Sequence, residues 1–150
     1  MYNITEKIQS LVGEIEKELS TMSPEKITEP TQAVKILTAA LPCNTKEHFL
    51  TLTLDGSHKP IQTHLISTGT VNRSLVHPRE VFRPAILDNA AAIIVAHNHP
   101  SGNFSPSTED HEVTKRLKQA ADIIGIPLLD HVILTNTFYQ YYSALAKGDL

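Results

Sequence analysis

The chain has 150 residues, a formal net charge of −3 and a sequence pI near 6.2. That length is one domain with room for a real core. The charge excludes the strongly basic surface of a general nucleic-acid binder, though it leaves a local basic patch open. Cys43 is the single cysteine, so an intramolecular disulfide and a paired-cysteine zinc site are both excluded, which fits a reducing compartment. No apolar run reaches transmembrane length and Met1–Glu6 shows no secretion signal, so the expectation is a cytoplasmic protein with no membrane partner.

Ile4, Ile8, Leu11, Val12, Ile15 and Leu19 recur at helical spacing and predict an N-terminal amphipathic helix. Its stripe is expected to pack on its own domain, with a homodimer contact or a partner-docking arm as the alternative. Thr21-Met22-Ser23-Pro24 stops it, and a linker runs to Pro30. Thr31 is expected to cap a second helix ending near Pro42. Residues 48–54 and 61–66 alternate as half-buried strands around a turn at Asp55-Gly56-Ser57. A helix starts near Pro78. Pro84 inside it costs a backbone hydrogen bond, roughly 3 kcal/mol, and predicts a kink or an early end. Ala90–Ala96 is an apolar run of buried-strand length. A helix over residues 107–124 follows, with Gly125 as its C-cap. Residues 131–134 and 138–142 read as the last strands. Strands mixed with segregated helices give an α/β (α+β) sheet core.

The chemistry concentrates after the apolar run, in His97-Asn98-His99-Pro100-Ser101-Gly102, Pro106-Ser107 and Asp110. On a continuing strand, residues i and i+2 share a face, so His97 and His99 can reach one ion while Asn98 points away. Ser107 and Asp110 resemble a helix capping box. A Gly/Pro loop of this length can bring that helix start, and Asp110 with it, back to the strand end. Two imidazoles and a carboxylate are a ligand set zinc takes in catalytic sites, leaving a coordination position for water.

The segment His97–Asp110 is similar to the metal-binding signature of the JAB/MPN (JAMM) metallopeptidases. Together with Leu129-Asp130-His131 and Val76-His77-Pro78-Arg79-Glu80-Val81-Phe82 it resembles the RadC-like branch, from about residue 30 onward. The resemblance implies a JAB/MPN-like curved mixed β-sheet flanked by helices, with the N-terminal amphipathic helix as an addition. It divides the chain into residues 1–29, helix and linker, and 30–150, the catalytic domain. It also implies Zn2+ on His97, His99 and Asp110, Glu47 as general acid/base and Ser107 as oxyanion donor. Glu80 competes with Glu47 as base, but a carboxylate on a first helical turn is stabilised by the helix dipole alone. Asp130-His131 is a candidate for orienting a ligating histidine. Pro84 departs from the family pattern.

The expected function is a zinc-dependent metallopeptidase cleaving a peptide or isopeptide amide bond of a peptide or protein substrate. The alternative is a RadC-like DNA repair or recombination accessory protein without proteolytic activity. Specificity is expected in the loops at residues 69–73 and 102–105. Three rivals fail on the residues. An HNH nuclease disperses its letters over a ββα hairpin. Non-haem iron sites usually order their ligands His-x-Asp/Glu with a distant His, unlike this chain. Zinc deaminases need a Pro-Cys-x-x-Cys segment.

Overall fold

The computed structural model describes residues 3–21, 24–69 and 76–150, with side chains 19–21 left aside. The elements in chain order are α1 (Ile4–Thr21), α2 (Pro30–Ala40), β1 (His48–Leu54), β2 (Pro60–Thr68), α3 (Pro78–Leu87), β3 (Ala92–Asn98), α4 (Thr108–Ile124), β4 (Leu128–Leu134), β5 (Tyr142–Ser143) and α5 (Ala144–Lys147). The strands form one sheet in the order β2-β1-β3-β4-β5. β3 and β4 are parallel and joined by α4, whereas the other neighbours are antiparallel. Such a mixed sheet follows from a helical crossover between β3 and β4, since parallel strands need a long connection. Register shifts in the β1–β2 ladder, between Phe49 and Leu50 and between Thr53 and Leu54, are the irregularities that bend a sheet.

All seven residues of β1 and all seven of β3 are buried, as expected of strands covered on both faces. Strand alternation divides the core in two. Ile93 and Val95 join Phe49, Val81, Phe82, Val113 and Leu117 under α3 and α4. Ala92, Ile94 and Ala96 join Leu50, Leu52, Val34 and Leu37 under α2. His97 therefore extends the α3/α4 face, and Asn98 the α2 face.

Several expectations need correction. The stripe of α1 does not pack on its own domain: every described side chain from Asn3 to Glu18 is exposed. α2 begins one residue earlier than Thr31, at Pro30 after Glu29. Gln32 Oε1 accepts the Thr28 and Glu29 backbone N–H groups, and Thr31 instead bonds the Tyr141 hydroxyl at 2.9 Å. Helix α3 continues through Pro84 to Leu87. Pro84 has no N–H to offer the Glu80 carbonyl, and the helix ends three residues beyond it. The aromatic stretch 138–142 is not a strand; only Tyr142 and Ser143 pair with β4. Residues 70–75, most of the first expected specificity loop, and residues 22–23 lie outside the described residues.

Candidate metal centre

β3 ends at Asn98, but the ladder persists one step because the His99 N–H donates to Leu134 O at 3.0 Å. His97 and His99 thus stay on one face. Gly102 adopts a left-handed φ of 81°, which glycine takes without a Cβ clash. There its N–H returns to His99 O. The same turn lets His99 Nδ1 donate to Asn103 O at 2.6 Å.

The third group arrives on α4. Ser107 Oγ accepts the Asp110 N–H at 3.1 Å, and Asp110 Oδ2 accepts the Ser107 N–H at 2.8 Å. This reciprocal capping box fixes the carboxylate. It leaves Oδ1 3.1 Å from His97 Nε2 and Oδ2 3.4 Å from His99 Nε2. The two Nε2 atoms are 3.1 Å apart. The capping geometry leaves Asp110 free to face the two imidazoles, so capping and a place in the cluster are compatible.

The hydrogen bonds assign the tautomers. Thr114 Oγ1 donates to Asp110 O at 2.9 Å, one helical turn back. Its single proton is then used, so the 2.6 Å contact with His131 Nδ1 must be donated by the imidazole. His131 Nε2 is left as an acceptor for His97 Nδ1–H at 2.8 Å. Burial, with His97 beside it, pushes the His131 pKa well down and keeps it neutral. His97 and His99 each spend Nδ1–H on a neighbour and present the bare Nε2 inward.

Two lone pairs and a carboxylate therefore converge at 3.1–3.4 Å, an arrangement that repels itself unless a cation sits between. Metal–ligand bonds of about 2.0–2.1 Å at tetrahedral angles place ligand atoms roughly 3.3 Å apart. His97, His99 and Asp110 thus form a buried group that fits a metal ion. The electrostatics agree. A proton on the imidazoles can take the cation's place: burial opposes ionisation of Asp110, but hydrogen bonds from Nε2–H of protonated His97 and His99 outweigh it and hold the carboxyl well below the usual range. The Asp110 carboxylate in turn raises the proton affinity of His99 against its burial.

Phe49 stacks on His97, with ring planes 8° apart, and walls the site on the β1 side. Glu47 lies two residues before Phe49, just outside β1, and is half-buried. Antiparallel pairing of Phe49 with His97, continued by two residues, sets Glu47 opposite His99. Asn98 pins this approach: its Oδ1 accepts the His48 N–H at 2.7 Å and its Nδ2 donates to Lys46 O at 2.9 Å. The charge of Glu47 contributes to the raised His99 pKa. Glu80, by contrast, is exposed on α3, 3.5 Å from Arg79. The Asp130-His131 pair divides: His131 orients His97, whereas Asp130 faces the other way, accepting from Ser143 Oγ and the Leu145 N–H. His111 is exposed.

The roles of Thr114 and Phe49, and the hydrogen bonds of Asn98 and Asn103, were not read from the sequence. Thr114 had a signal: four residues after Asp110 on a helix, it lies on the same face. The others depend on loop closure and strand register.

The sheet, the crossover helix and the convergent histidines and aspartate define a JAB-type α+β domain. The model of the RadC-like JAB domain family matches residues 27–149, and the chain belongs to that family. It is similar to UPF0758 proteins of Trichlorobacter lovleyi (49% identical, over 83% of this chain and 53% of the relative) and Geobacter sulfurreducens (43%, over 89% and 59%). It is 54% identical to one from Methanospirillum hungatei, over 73% of this chain and 49% of the relative. The chain spans about half the length of these relatives. Among the described residues no helix is long and apolar enough to cross a membrane.

Proposed function

We propose that this domain is a zinc-dependent hydrolase that cleaves a peptide or isopeptide amide bond. The observation that carries the reading is the convergence of His97 Nε2, His99 Nε2 and an Asp110 oxygen, with both Nδ1 positions already used. Zinc is the metal that this mixed nitrogen–oxygen set suits. When bound, it would lower the pKa of a coordinated water to about 7 and polarise a carbonyl oxygen.

The protein's own groups supply the rest. Glu47, beside His99 and held by the Asn98 clamp, takes a proton from the attacking water and returns it to the leaving amine nitrogen. A positioned acid/base of this kind contributes about 10²–10⁴ in rate. Ser107 Oγ uses a lone pair on the Asp110 N–H, which leaves its hydroxyl proton to donate to the developing oxyanion. The exposure of Ser107 lets a substrate reach it.

The test pairs elemental analysis with turnover on a peptide library. Wild type is expected to carry stoichiometric zinc, and Glu47→Gln to keep that zinc while losing turnover by about 10²-fold or more. Full activity in Glu47→Gln, with loss in Glu80→Gln, would overturn the assignment of the base. Equal metal in wild type and His97→Ala would overturn the site.

A further inference from the structure

The exposed stripe of α1 carries the information needed to name what covers it. Ile4, Ile8, Leu11 and Ile15 follow one another at steps of four, three and four, the a/d alternation of a coiled-coil seam. All four are exposed, from 46% at Leu11 to 73% at Ile4. An 18-residue helix is about 27 Å long and marginal by itself in water. An apolar face on such a helix signals a partner.

With Ile8 and Ile15 at a, and Ile4 and Leu11 at d, Lys7 and Glu14 both fall at g. Antiparallel pairing sets g against g. If Ile8 meets the partner's Leu11, then Ile4 meets the partner's Ile15, so the four apolar positions satisfy one another completely. Lys7 then flanks the partner's Glu14, and by symmetry Glu14 flanks the partner's Lys7. A parallel, in-register pair also matches the four apolar positions but loses the charge pairing and buries a charge. It sets Lys7 beside the partner's Val12, and it places Glu18 against the partner's Glu18 at a core position. The helix also carries four glutamates against two lysines, which disfavours an anionic membrane surface.

We propose that α1 pairs antiparallel with α1 of a second copy, through a seam of Ile4, Ile8, Leu11 and Ile15 flanked by two reciprocal Lys7–Glu14 pairs. The flanking pairs are solvent-exposed, so they fix orientation more than strength. The dimer is reversible and leaves the sheet domain untouched.

Sedimentation equilibrium of the full chain tests this. Wild type should show a concentration-dependent monomer–dimer equilibrium. Leu11→Asp should weaken it about a hundredfold, since both copies lose a buried leucine. Its main thermal unfolding transition should not move, because Leu11 is exposed and belongs to none of the core clusters. Lys7→Glu and Glu14→Lys should each weaken self-association, while an equimolar mixture of the two should form a heterodimer tighter than either alone. A monomer at every concentration would overturn the proposal. So would a dimer indifferent to Leu11→Asp, a mixture no tighter than its components, or a monomer that instead binds anionic phosphatidylserine vesicles.

Discussion

Two aspartates in this fold are alike in burial and opposite in chemistry. Asp110 is 4% exposed in the first turn of α4, and Asp130 is 3% exposed on β4, beside the start of α5. Both accept backbone N–H bonds at the start of a helix. Asp110 also faces the Nε2 atoms of two imidazoles, and when these carry a proton their hydrogen bonds hold its carboxyl well below the usual range despite burial. Asp130 faces a hydroxyl and backbone amides, and burial outweighs them and raises its pKa. Burial therefore does not make a buried acid a ligand. The acid placed to hold a metal is the one whose remaining oxygen looks toward the imidazole nitrogens.

Substitutions should separate the two residues cleanly. Asp110→Asn is expected to have the largest effect, reducing bound zinc from one per chain to near zero and abolishing any metal-dependent turnover. Atomic absorption on dialysed protein measures it, and retention of full stoichiometry would break the contrast. Asp130→Ala should do the reverse. It orphans the donors of Ser143 Oγ, the Leu145 N–H and the His131 N–H. At ~1–3 kcal/mol for an unsatisfied buried group, with some recovered by water, a loss of about 3 kcal/mol is expected. Urea unfolding should register that loss with zinc content unchanged, and a drop in zinc alone would mean that Asp130 serves the site after all.

A subtler variant tests how the site is oriented. Thr114→Val removes the hydroxyl that accepts from His131 Nδ1 and so releases the tautomer of His97. Groups of this kind typically contribute 10–100-fold to metal affinity. A chelator competition should show that weakening, whereas unchanged affinity would mean that His97 is oriented without the relay.

The smallest effect concerns pH. Because the Asp130 pKa is raised on folding, the native state binds its proton more readily than the unfolded chain does. Its contribution is fully present below the unfolded value of about 3.9 and is lost as pH rises through the raised folded value. The stability difference between wild type and Asp130→Asn should follow that fall and be flat above it. A difference that grows with rising pH would reverse the assigned direction.

The convergence of His97, His99 and Asp110 was legible in the sequence because each part of it is local. The alternation of a strand puts His97 and His99 on one face, and the Ser107–Asp110 spacing writes a helix start. The fold class was legible for the same reason, from apolar patterning over residues 48–54, 90–96 and 107–124. What escaped was set by partners distant in the chain. The Asn98 clamp exists only because β1 pairs with β3 in one particular register. The aromatic stretch at residues 138–142 has strand-like residues, but β4 offers pairing only to Tyr142 and Ser143. Asp130 and His131 are adjacent letters that read as one unit, yet strand alternation sends them to opposite faces. The α1 periodicity foretold a helix, but not where its stripe would lie.

X-ray absorption at the zinc edge of purified, metal-loaded protein addresses the central claim most directly. The account predicts one zinc per chain in a four-coordinate shell of two imidazole nitrogens and two oxygens, one from Asp110 and one from solvent. A shell containing sulfur, or a fourth donor from the protein, would contradict it.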